Sequence, residues 1–334
     1  MLASRRARTN VAPQDSAAVT GFLLAIGSAA SFALSGIFAS ALMQAGWSAG
    51  AAVTVRIGFS AIVLLGPTVV LMRGRWDLVR RAWPQLLVFG VLAVAGCQLA
   101  FFLAVQFIPP SLALLIEFTG PVMLVFWMWA RSRNAPSLVT LAGAAIAVLG
   151  VVSISGVLAG VSLHPLGIAF ALVAAAGNAA YYATGAASDH GIPTLPFVGL
   201  GLLIGSVPLL LAAAIGVLPF AVTTTPASIA GVEAHPLLIV AGMVLISTVL
   251  SYLLGVAASR RLGATVSSFT GYSEPLFGIV WTILLLAVVP TGLQWLGAAL
   301  IVAGVITVKV GELRTARAKR RAADPNLVGA ARKV

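Results

Sequence analysis

Charged side chains are scarce in this chain of 334 residues: they make up 8% of it, whereas soluble domains carry roughly a quarter. Hydrophobic residues make up 60%, and the mean hydropathy is +1.08. This composition excludes a soluble domain, because an aqueous fold cannot bury so much apolar surface. A bilayer can accommodate it, with about 20 apolar residues for each helical crossing. We therefore predict an all-α polytopic membrane protein.

Cysteine and histidine are also scarce. The single cysteine, Cys97, cannot form an intrachain disulfide, and we interpret it as a polarisable filler between helices. The three histidines are isolated in predicted connections without metal-ligand spacing, and no P-loop, HExxH or nucleophile-elbow motif is present. We expect no metal, no cofactor and no ATP hydrolysis. An intramembrane enzyme would need clustered His, Asp or Ser groups, which this sequence does not provide.

The formal net charge is +12, yet the cations avoid the long apolar runs. They gather in short connections and in two basic tails, 1–19 and 312–334, that lack hydrophobic periodicity. We interpret them as an orientation signal near anionic lipid headgroups rather than as a nucleic-acid site. Both tails are predicted to be cytoplasmic and disordered.

Ten membrane spans are predicted by cutting the chain at charges, prolines and polar clusters. The connections support this division, since arginine occurs in connections two, four and eight, whereas the odd-numbered connections contain no lysine or arginine. By the positive-inside rule, both termini are cytoplasmic in the inner (plasma) membrane. Connection six gives no signal, and a missed pair of spans would preserve the alternation. The predicted spans are 20–43, 49–72, 84–106, 109–130, 137–158, 165–187, 195–217, 236–258, 264–288 and 291–311.

The two halves of the chain match at a shift of 154 residues. This shift places Pro121 on Pro275 and residues 140–152 on 294–306. Five spans in each half is an odd number, so the second copy would enter the membrane from the opposite side. We predict a 5+5 inverted repeat, with units 20–158 and 165–311, which is typical of secondary transporters. Chance matching of small-residue helices is the alternative.

Two short stretches carry a family resemblance. They are EFTGP from Glu117 and SEPLFG around Glu274, and with the arginine of the second span and the glycine-spaced fifth and tenth spans they resemble the EamA-type drug/metabolite transporter superfamily. The similarity covers residues 20–311, and the EFTGP wording resembles the threonine/homoserine exporter branch. The resemblance implies a ten-helix exporter of small metabolites such as amino acids.

Only three ionisable side chains lie well within predicted spans: Arg56, Glu117 and Glu274. At 1.5 Å per residue, Arg56 and Glu117 lie about 10 Å and about 12 Å below the outer ends of their spans. We expect both to face one central cavity, where Arg56 would bind the carboxylate and Glu117 the ammonium group of a zwitterion. The alternative is a permanent ion pair that locks two helices together.

Glu274 lies about 15 Å from the inner end of its span and is a candidate for proton coupling. Interhelical hydrogen bonding is the alternative role. Two prolines predict kinks nearby: Pro121 cannot bond the carbonyl of residue 117, and Pro275 cannot bond that of Gly271. We expect these carbonyls to be unpaired near a cavity, unless neighbouring hydroxyl groups satisfy them.

Further polar groups share helix faces with these residues and predict a substrate-binding lining. We expect alternating-access export, with the bilayer, a small-molecule substrate and, through Glu274, protons as partners. The glycine faces of the fifth and tenth spans are compatible with packing within one chain or in a homodimer, and no nucleic acid is expected. A lipid-carrier or nucleotide-sugar translocator of the same fold would need more basic groups. The predicted lining is Ser28, Ser31, Ser35, Gln98, Asn178, Tyr181, Tyr182, Ser251 and Tyr252, with Phe101 and Trp281 as apolar walls.

Overall fold

The computed structural model describes residues 13–108, 110–133, 135–155, 164–286 and 291–323. Nearly all of this part is helical, and the remainder includes one β-hairpin. The elements are α1 (Pro13–Gln44), α2 (Ala49–Leu71), α3 (Asp77–Leu87), a π-helical segment (Val88–Gly96), α4 (Cys97–Ala104), α5 (Pro110–Glu117), α6 (Gly120–Ser132), α7 (Leu138–Ser155), α8 (Pro165–Ala186), α9 (Thr194–Ala214), β1 (Ala227–Ile229), β2 (Val232–Ala234), α10 (Pro236–Val244), a second π-helical segment (Leu245–Leu250), α11 (Ser251–Leu262), α12 (Ala264–Thr270), α13 (Ser273–Leu286) and α14 (Gly292–Ala323).

Helices α1 and α14 extend into both predicted tails. Residues 13–19 belong to α1 and residues 312–323 to α14, so the predicted disorder does not apply to these parts. The rest of each tail, 1–12 and 324–334, lies outside the described residues.

Eight helical stretches in the described residues are long and apolar enough to cross a membrane. The fifth predicted span is represented by a shorter apolar helix, Leu138–Ser153, and the ninth is divided between α12 and α13. The structure therefore confirms a polytopic helical membrane protein, whereas the count of ten stays a prediction. The eight stretches are Ala17–Gln44, Ala49–Leu71, Asp77–Ala104, Leu112–Ser132, Pro165–Ala186, Thr194–Ala214, Pro236–Leu262 and Gly292–Thr315.

Helices α7 and α14 pack closely through their glycines. A methyl group added at Gly143 would lie 2.9 Å from the carbonyl oxygen of Gly304, and one added at Gly150 would lie 2.7 Å from that of Gly297. Only glycine allows the two backbones to approach so closely. Since the residue numbers increase along one helix as they fall along the other, the helices run antiparallel. The glycine faces are thus occupied within one chain.

Arginine-bearing connections meet on one face of the bundle. A methyl group at Gly21, near the start of α1, would lie 2.8 Å from Leu262 at the end of α11. The hydroxyl group of Thr265 contacts the sulfur of Met128, near the end of α6, at 3.5 Å. We call this the arginine face, and its members are Arg73, Arg75, Arg80, Arg81, Arg131, Arg133, Arg260 and Arg261.

Connection six, between α8 and α9, also lies on the arginine face. Arg260 donates a hydrogen bond to the carbonyl of Ile192 at 2.9 Å. A methyl group at Gly191 would lie 3.7 Å from Leu78 of α3. The structure therefore places connection six on the arginine face, although the charges of this connection did not indicate a side.

The first and seventh connections meet on the opposite face. Trp47 donates from Nε1 to the carbonyl of Thr223 at 2.9 Å, and Ser48 donates from Oγ to the carbonyl of Pro219 at 2.6 Å. The hairpin of β1 and β2 belongs to the seventh connection, and its two turn residues have φ of 54° and 76°, as expected of a two-residue hairpin turn. We call residues 45–48 and 215–235 the hairpin face.

Candidate functional site

A cavity of about 430 Å³ lies at the centre of the bundle, a size typical of small-molecule sites. Residues from both halves of the chain line it, and they include Arg56, Glu117 and Glu274. The structure thus brings together the three ionisable side chains that the sequence places deep in spans. The other predicted residues that it places here are Ser28, Ser35, Gln98, Phe101, Asn178, Tyr181, Tyr182, Ser251 and Tyr252.

Arg56 projects from α2 and is 4% exposed. One terminal nitrogen of its guanidinium group donates a hydrogen bond to the hydroxyl of Ser35, and the group lies 5.5 Å from the centroid of the Phe32 ring. Its Nε atom has no hydrogen-bond partner. The described part of the chain shows no ion pair to Arg56, so Arg56 and Glu117 are not a locked pair in this conformation.

Glu117 is the last residue of α5, where its carboxylate contacts a thiol. The Sγ atom of Cys97 donates to its Oε1 atom at 3.3 Å. Asn178 of α8 lines the same wall, and its Oδ1 atom has no hydrogen-bond partner. Cys97 is therefore more than the apolar filler expected from the sequence, since it contacts one of the two acids that line the cavity.

Glu274 lies in the first turn of α13, where the helix dipole favours a negative charge. Its backbone N–H donates to the carbonyl of Gly271 at 2.9 Å. Among the described residues, its carboxylate has neither a hydrogen bond nor an ion pair. The carboxylate of Glu274 therefore lines the cavity with both oxygen atoms able to accept a hydrogen bond from a ligand.

Both predicted kinks coincide with interrupted helices. The fourth span breaks between α5 and α6, and the ninth between α12 and α13. Pro121 and Pro275 lie in the first turn of the helix that follows each break. The carbonyl of Gly271 is not unpaired, contrary to expectation, because the N–H of Glu274 occupies it. This carbonyl is thus satisfied by a backbone N–H, whereas the alternative expectation names neighbouring hydroxyl groups.

Ser31 and Trp281 are the two predicted lining residues that the described cavity wall does not contain. Trp281 instead donates from Nε1 to the carbonyl of Ala30 at 2.8 Å and joins α13 to α1. The expectation that these two residues line the cavity is wrong for this conformation, because neither helical spacing, used for Ser31, nor the apolar ring of Trp281 gives the neighbour that a side chain contacts.

Two π-helical segments position further lining residues. Cys97 and Gln98 directly follow the first segment, and Ser251 and Tyr252 directly follow the second. These pairs are 154 residues apart, the shift of the sequence repeat. A π-helical turn contains one more residue than an α-helical turn and is frequent at functional sites. Nothing in the two apolar runs predicts these segments.

Tyrosine side chains form one wall of the cavity. The ring of Tyr181 lies edge-on to Tyr252, at a centroid distance of 5.5 Å, and to Tyr182, at 4.9 Å. Any side chain at Gly255 or Gly271 would collide with the hydroxyl group of Tyr181 or Tyr182. These two glycines therefore leave room for the phenol groups.

Phe32, which the sequence pattern did not single out, also lines the cavity, where its ring lies against the guanidinium group of Arg56. Phe32 lies four residues after Ser28 in α1, so the helical spacing that identified the serines places it on their face. Helical spacing is therefore sufficient to predict that Phe32 lines the cavity. An aromatic residue within an apolar run, by contrast, does not indicate a binding site by itself.

Comparison with known proteins identifies similar chains. The sequence profile of the EamA-like transporter family matches residues 19–156 and again residues 165–310. An uncharacterized inner membrane transporter, YicL of Salmonella typhimurium, is 28% identical over 240 residues, which are 70% of this chain and 75% of that protein. A solved crystal structure with 18% sequence identity aligns over 88% of this chain and 98% of its own, with a TM-score of 0.69, and shows a shared fold. The family unit therefore occurs twice in this chain.

Proposed function

This chain belongs to the EamA-like transporter family, and from that premise we propose that it exports small zwitterionic metabolites, such as amino acids, by alternating access. One observation carries the proposal: Arg56 lies in the same cavity as Glu117 and Glu274 and is paired with neither. A zwitterion has one carboxylate for Arg56 and one ammonium group for an acid. Burial of such groups in a membrane protein is costly and indicates a function.

We further propose that the chain has ten spans arranged as a 5+5 inverted repeat. The contacts between Gly143 and Gly304 and between Gly150 and Gly297 support it, because the 154-residue shift converts each contact into the other. Such an exchange is expected of two units related by a two-fold axis. Since α7 and α14 run antiparallel, this axis would lie across the helices and in the membrane plane, as in transporters with inverted repeats.

The sidedness that we propose rests on the two faces. We propose that the arginine face is cytoplasmic, which places both termini inside and the hairpin face outside. The grouping of all arginine-bearing connections on one face supports this assignment. The cavity would then load from the cytoplasm in another conformation and release its substrate toward the hairpin face.

Proton coupling is proposed for Glu274. Its carboxylate faces the cavity without a protein partner among the described residues, so a proton could bind there in exchange for substrate. The alternative of a lipid-carrier or nucleotide-sugar translocator is disfavoured, because Arg56 is the one basic side chain among the described lining residues. A phosphate-bearing substrate would need more cations.

Transport by purified protein in liposomes tests the proposal. A panel of radiolabelled amino acids would be supplied with and without an imposed pH gradient. We expect saturable uptake of at least one of them, lost in Arg56→Gln and in Glu117→Gln, and a response to the gradient that Glu274→Gln removes. Arg81→Gln, a change at an exposed arginine, is the matched control. Undiminished transport by the Arg56 and Glu117 variants would contradict the proposed binding roles.

A further inference from the structure

A second cavity, which we call the vestibule, adjoins the central cavity on the side of the hairpin face. It measures about 670 Å³ and lies between α1, α13 and the turn of the β-hairpin. Ala33, Gly36 and Gly278 line both cavities. The two spaces therefore meet at a neck, which we define by these three small residues.

The two neck glycines are not needed for helix packing. A methyl group added at Gly36 or at Gly278 would have no atom within 4 Å, whereas one added at Gly143 or Gly150 would collide with a neighbouring helix. Glycine inside a helix costs stability relative to alanine. Its presence at these two positions, on opposite sides of a junction between cavities, is consistent with keeping that junction open.

The vestibule has an uncharged lining in the part of the chain that the structure describes. Its polar groups are Ser40 and Gln44 of α1, Ser228 of the hairpin and Thr282 of α13. Thr282 donates a hydrogen bond to the carbonyl of Gly278 at 2.7 Å, so a polar group lies one helical turn from the neck. Such a lining suits a molecule that is polar but carries no net charge, as a zwitterion does.

The hairpin is anchored above this space. Ala227 of β1 is buried in an apolar cluster with Ala41 and Leu42 of α1, and Ile229 packs against the same cluster while lining the vestibule. The turn of the hairpin therefore lines the vestibule, and its strand β1 is held against α1 by this cluster.

We propose that Gly36 and Gly278 form the neck through which the transported metabolite passes between the central cavity and the hairpin face. The absence of side chains at these positions sets the width of the passage, and the uncharged vestibule selects a molecule without net charge. This inference rests on the proposed function, which it extends from the binding site to the route of the substrate.

Cysteine accessibility tests the passage without measuring transport. In a Cys97→Ala background, Gly36→Cys and Gly278→Cys would be treated in intact cells and in inside-out vesicles with a small methanethiosulfonate that carries one ammonium and one carboxylate group, which is membrane-impermeant but has no net charge. Gly66→Cys is the matched control, because Gly66 is exposed on α2, belongs to neither cavity and also has no atom near its added carbon. We expect the two neck cysteines to react from the hairpin side at least about tenfold faster than the control, since a thiolate does not form in lipid.

Blocking of the neck is the second test. Gln98→Cys, again with Cys97→Ala, places a reporter thiol in the central cavity. Adding Gly36→Leu or Gly278→Leu should slow its labelling from the hairpin side by about tenfold or more, because an apolar constriction excludes water and polar solutes. Gly66→Leu should leave the rate unchanged. The cysteine accessibility test stands by itself if a leucine variant does not fold.

The outcomes separate the two proposals. Equal reactivity of neck and control cysteines, reaction from the arginine side only, or undiminished labelling of folded leucine variants would each overturn the passage. If labelling behaves as expected but purified protein transports no amino acid, the passage stands and the proposed substrate class fails.

Discussion

The hydroxyl group of Tyr272 donates a hydrogen bond to the backbone carbonyl of Phe118, and the two residues are 154 positions apart. Their rings also meet at a steep angle with centroids 5.8 Å apart. The separation equals the shift of the sequence repeat, so each residue is the counterpart of the other. In the proposed inverted repeat, two such residues can touch only near the axis that relates the halves, and both lie where a span is interrupted.

Loss of this hydroxyl group is expected to destabilise the contact between the halves. Tyr272→Phe removes the donor to the Phe118 carbonyl and leaves that buried acceptor unpaired, at a cost of about 1–3 kcal/mol. Thermal unfolding of the purified protein should show a lower midpoint. Tyr252→Phe is the control, because no hydrogen bond to its hydroxyl group is found within the described ranges. Equal midpoints for the two variants would contradict the structural role of Tyr272.

Removal of the Arg56 charge should weaken substrate binding without lowering the stability of the protein. Arg56→Met eliminates a buried cation that has no carboxylate partner among the described residues, so the midpoint of unfolding should stay equal or rise. Substrate affinity should fall by roughly 10- to 100-fold, since hydrogen bonds to a charged group contribute about 1.5–3 kcal/mol. Binding and melting would be measured on the same preparations. A large loss of stability with normal affinity would indicate a purely structural arginine.

Close packing of α7 and α14 predicts opposite effects of alanine at two glycines. Gly304→Ala would place its methyl group 2.6 Å from the Cβ atom of Ala147, and such overpacking costs about 1–3 kcal/mol. Gly58→Ala in α2 enters open space and should stabilise the helix by up to about 1 kcal/mol. Thermal unfolding of both variants checks the signs. A stabilised Gly304→Ala protein would show that the two helices are not held so closely.

A pH effect is expected from His190, which lies between α8 and α9 outside the spanning segments. Burial, and then the positive charge of Arg260, lowers its pKa from 6.5. Its Nδ1 atom accepts the N–H of Ile192 at 3.0 Å, which requires that this nitrogen carries no proton. The folded state thus favours neutral His190. Its contribution to stability is complete above the unfolded pKa and is lost as the pH falls from about 6.5 toward the folded pKa.

Thermal unfolding between about pH 5 and pH 8 measures this effect against His190→Asn, whose side-chain oxygen can accept the same hydrogen bond without titrating in this range. As the pH falls, the unfolding midpoint of the wild type should decrease relative to that of the variant. His164→Asn serves as the control, because His164 is exposed and its ring stacks on Phe107 with no side-chain hydrogen bond among the described residues. Parallel pH profiles for wild type and His190→Asn would exclude the predicted titration.

Much of the site could be read from residue type and depth alone. Arg56, Glu117 and Glu274 are expensive in a bilayer, so each needs a polar environment, and spans of similar length bring residues of similar depth to one level. The cavity contains all three. The tyrosines and serines joined them by helical spacing, which identifies a face of each helix.

The contacts that each side chain makes could not be predicted from residue type, depth or spacing. The sequence suggests Trp281 as an apolar wall of the cavity, yet its indole donates a hydrogen bond to the carbonyl of Ala30. Arg56 contacts Ser35 and Phe32 rather than an acid. Which neighbour a side chain contacts depends on the rotation of adjacent helices about their axes. It also depends on the two π-helical segments, which change the direction in which the side chains after them point.

The sequence by itself determined that this protein lies in a lipid bilayer, that its charged connections alternate, and at which few positions an ionisable side chain lies within a span. It could do so because the free energy of moving a side chain into lipid depends on that side chain. Only the tertiary structure decided which buried groups touch, where the helices break and how the central cavity joins the vestibule. These features arise from contacts between distant segments, and no local pattern of residues encodes the distance between two helices.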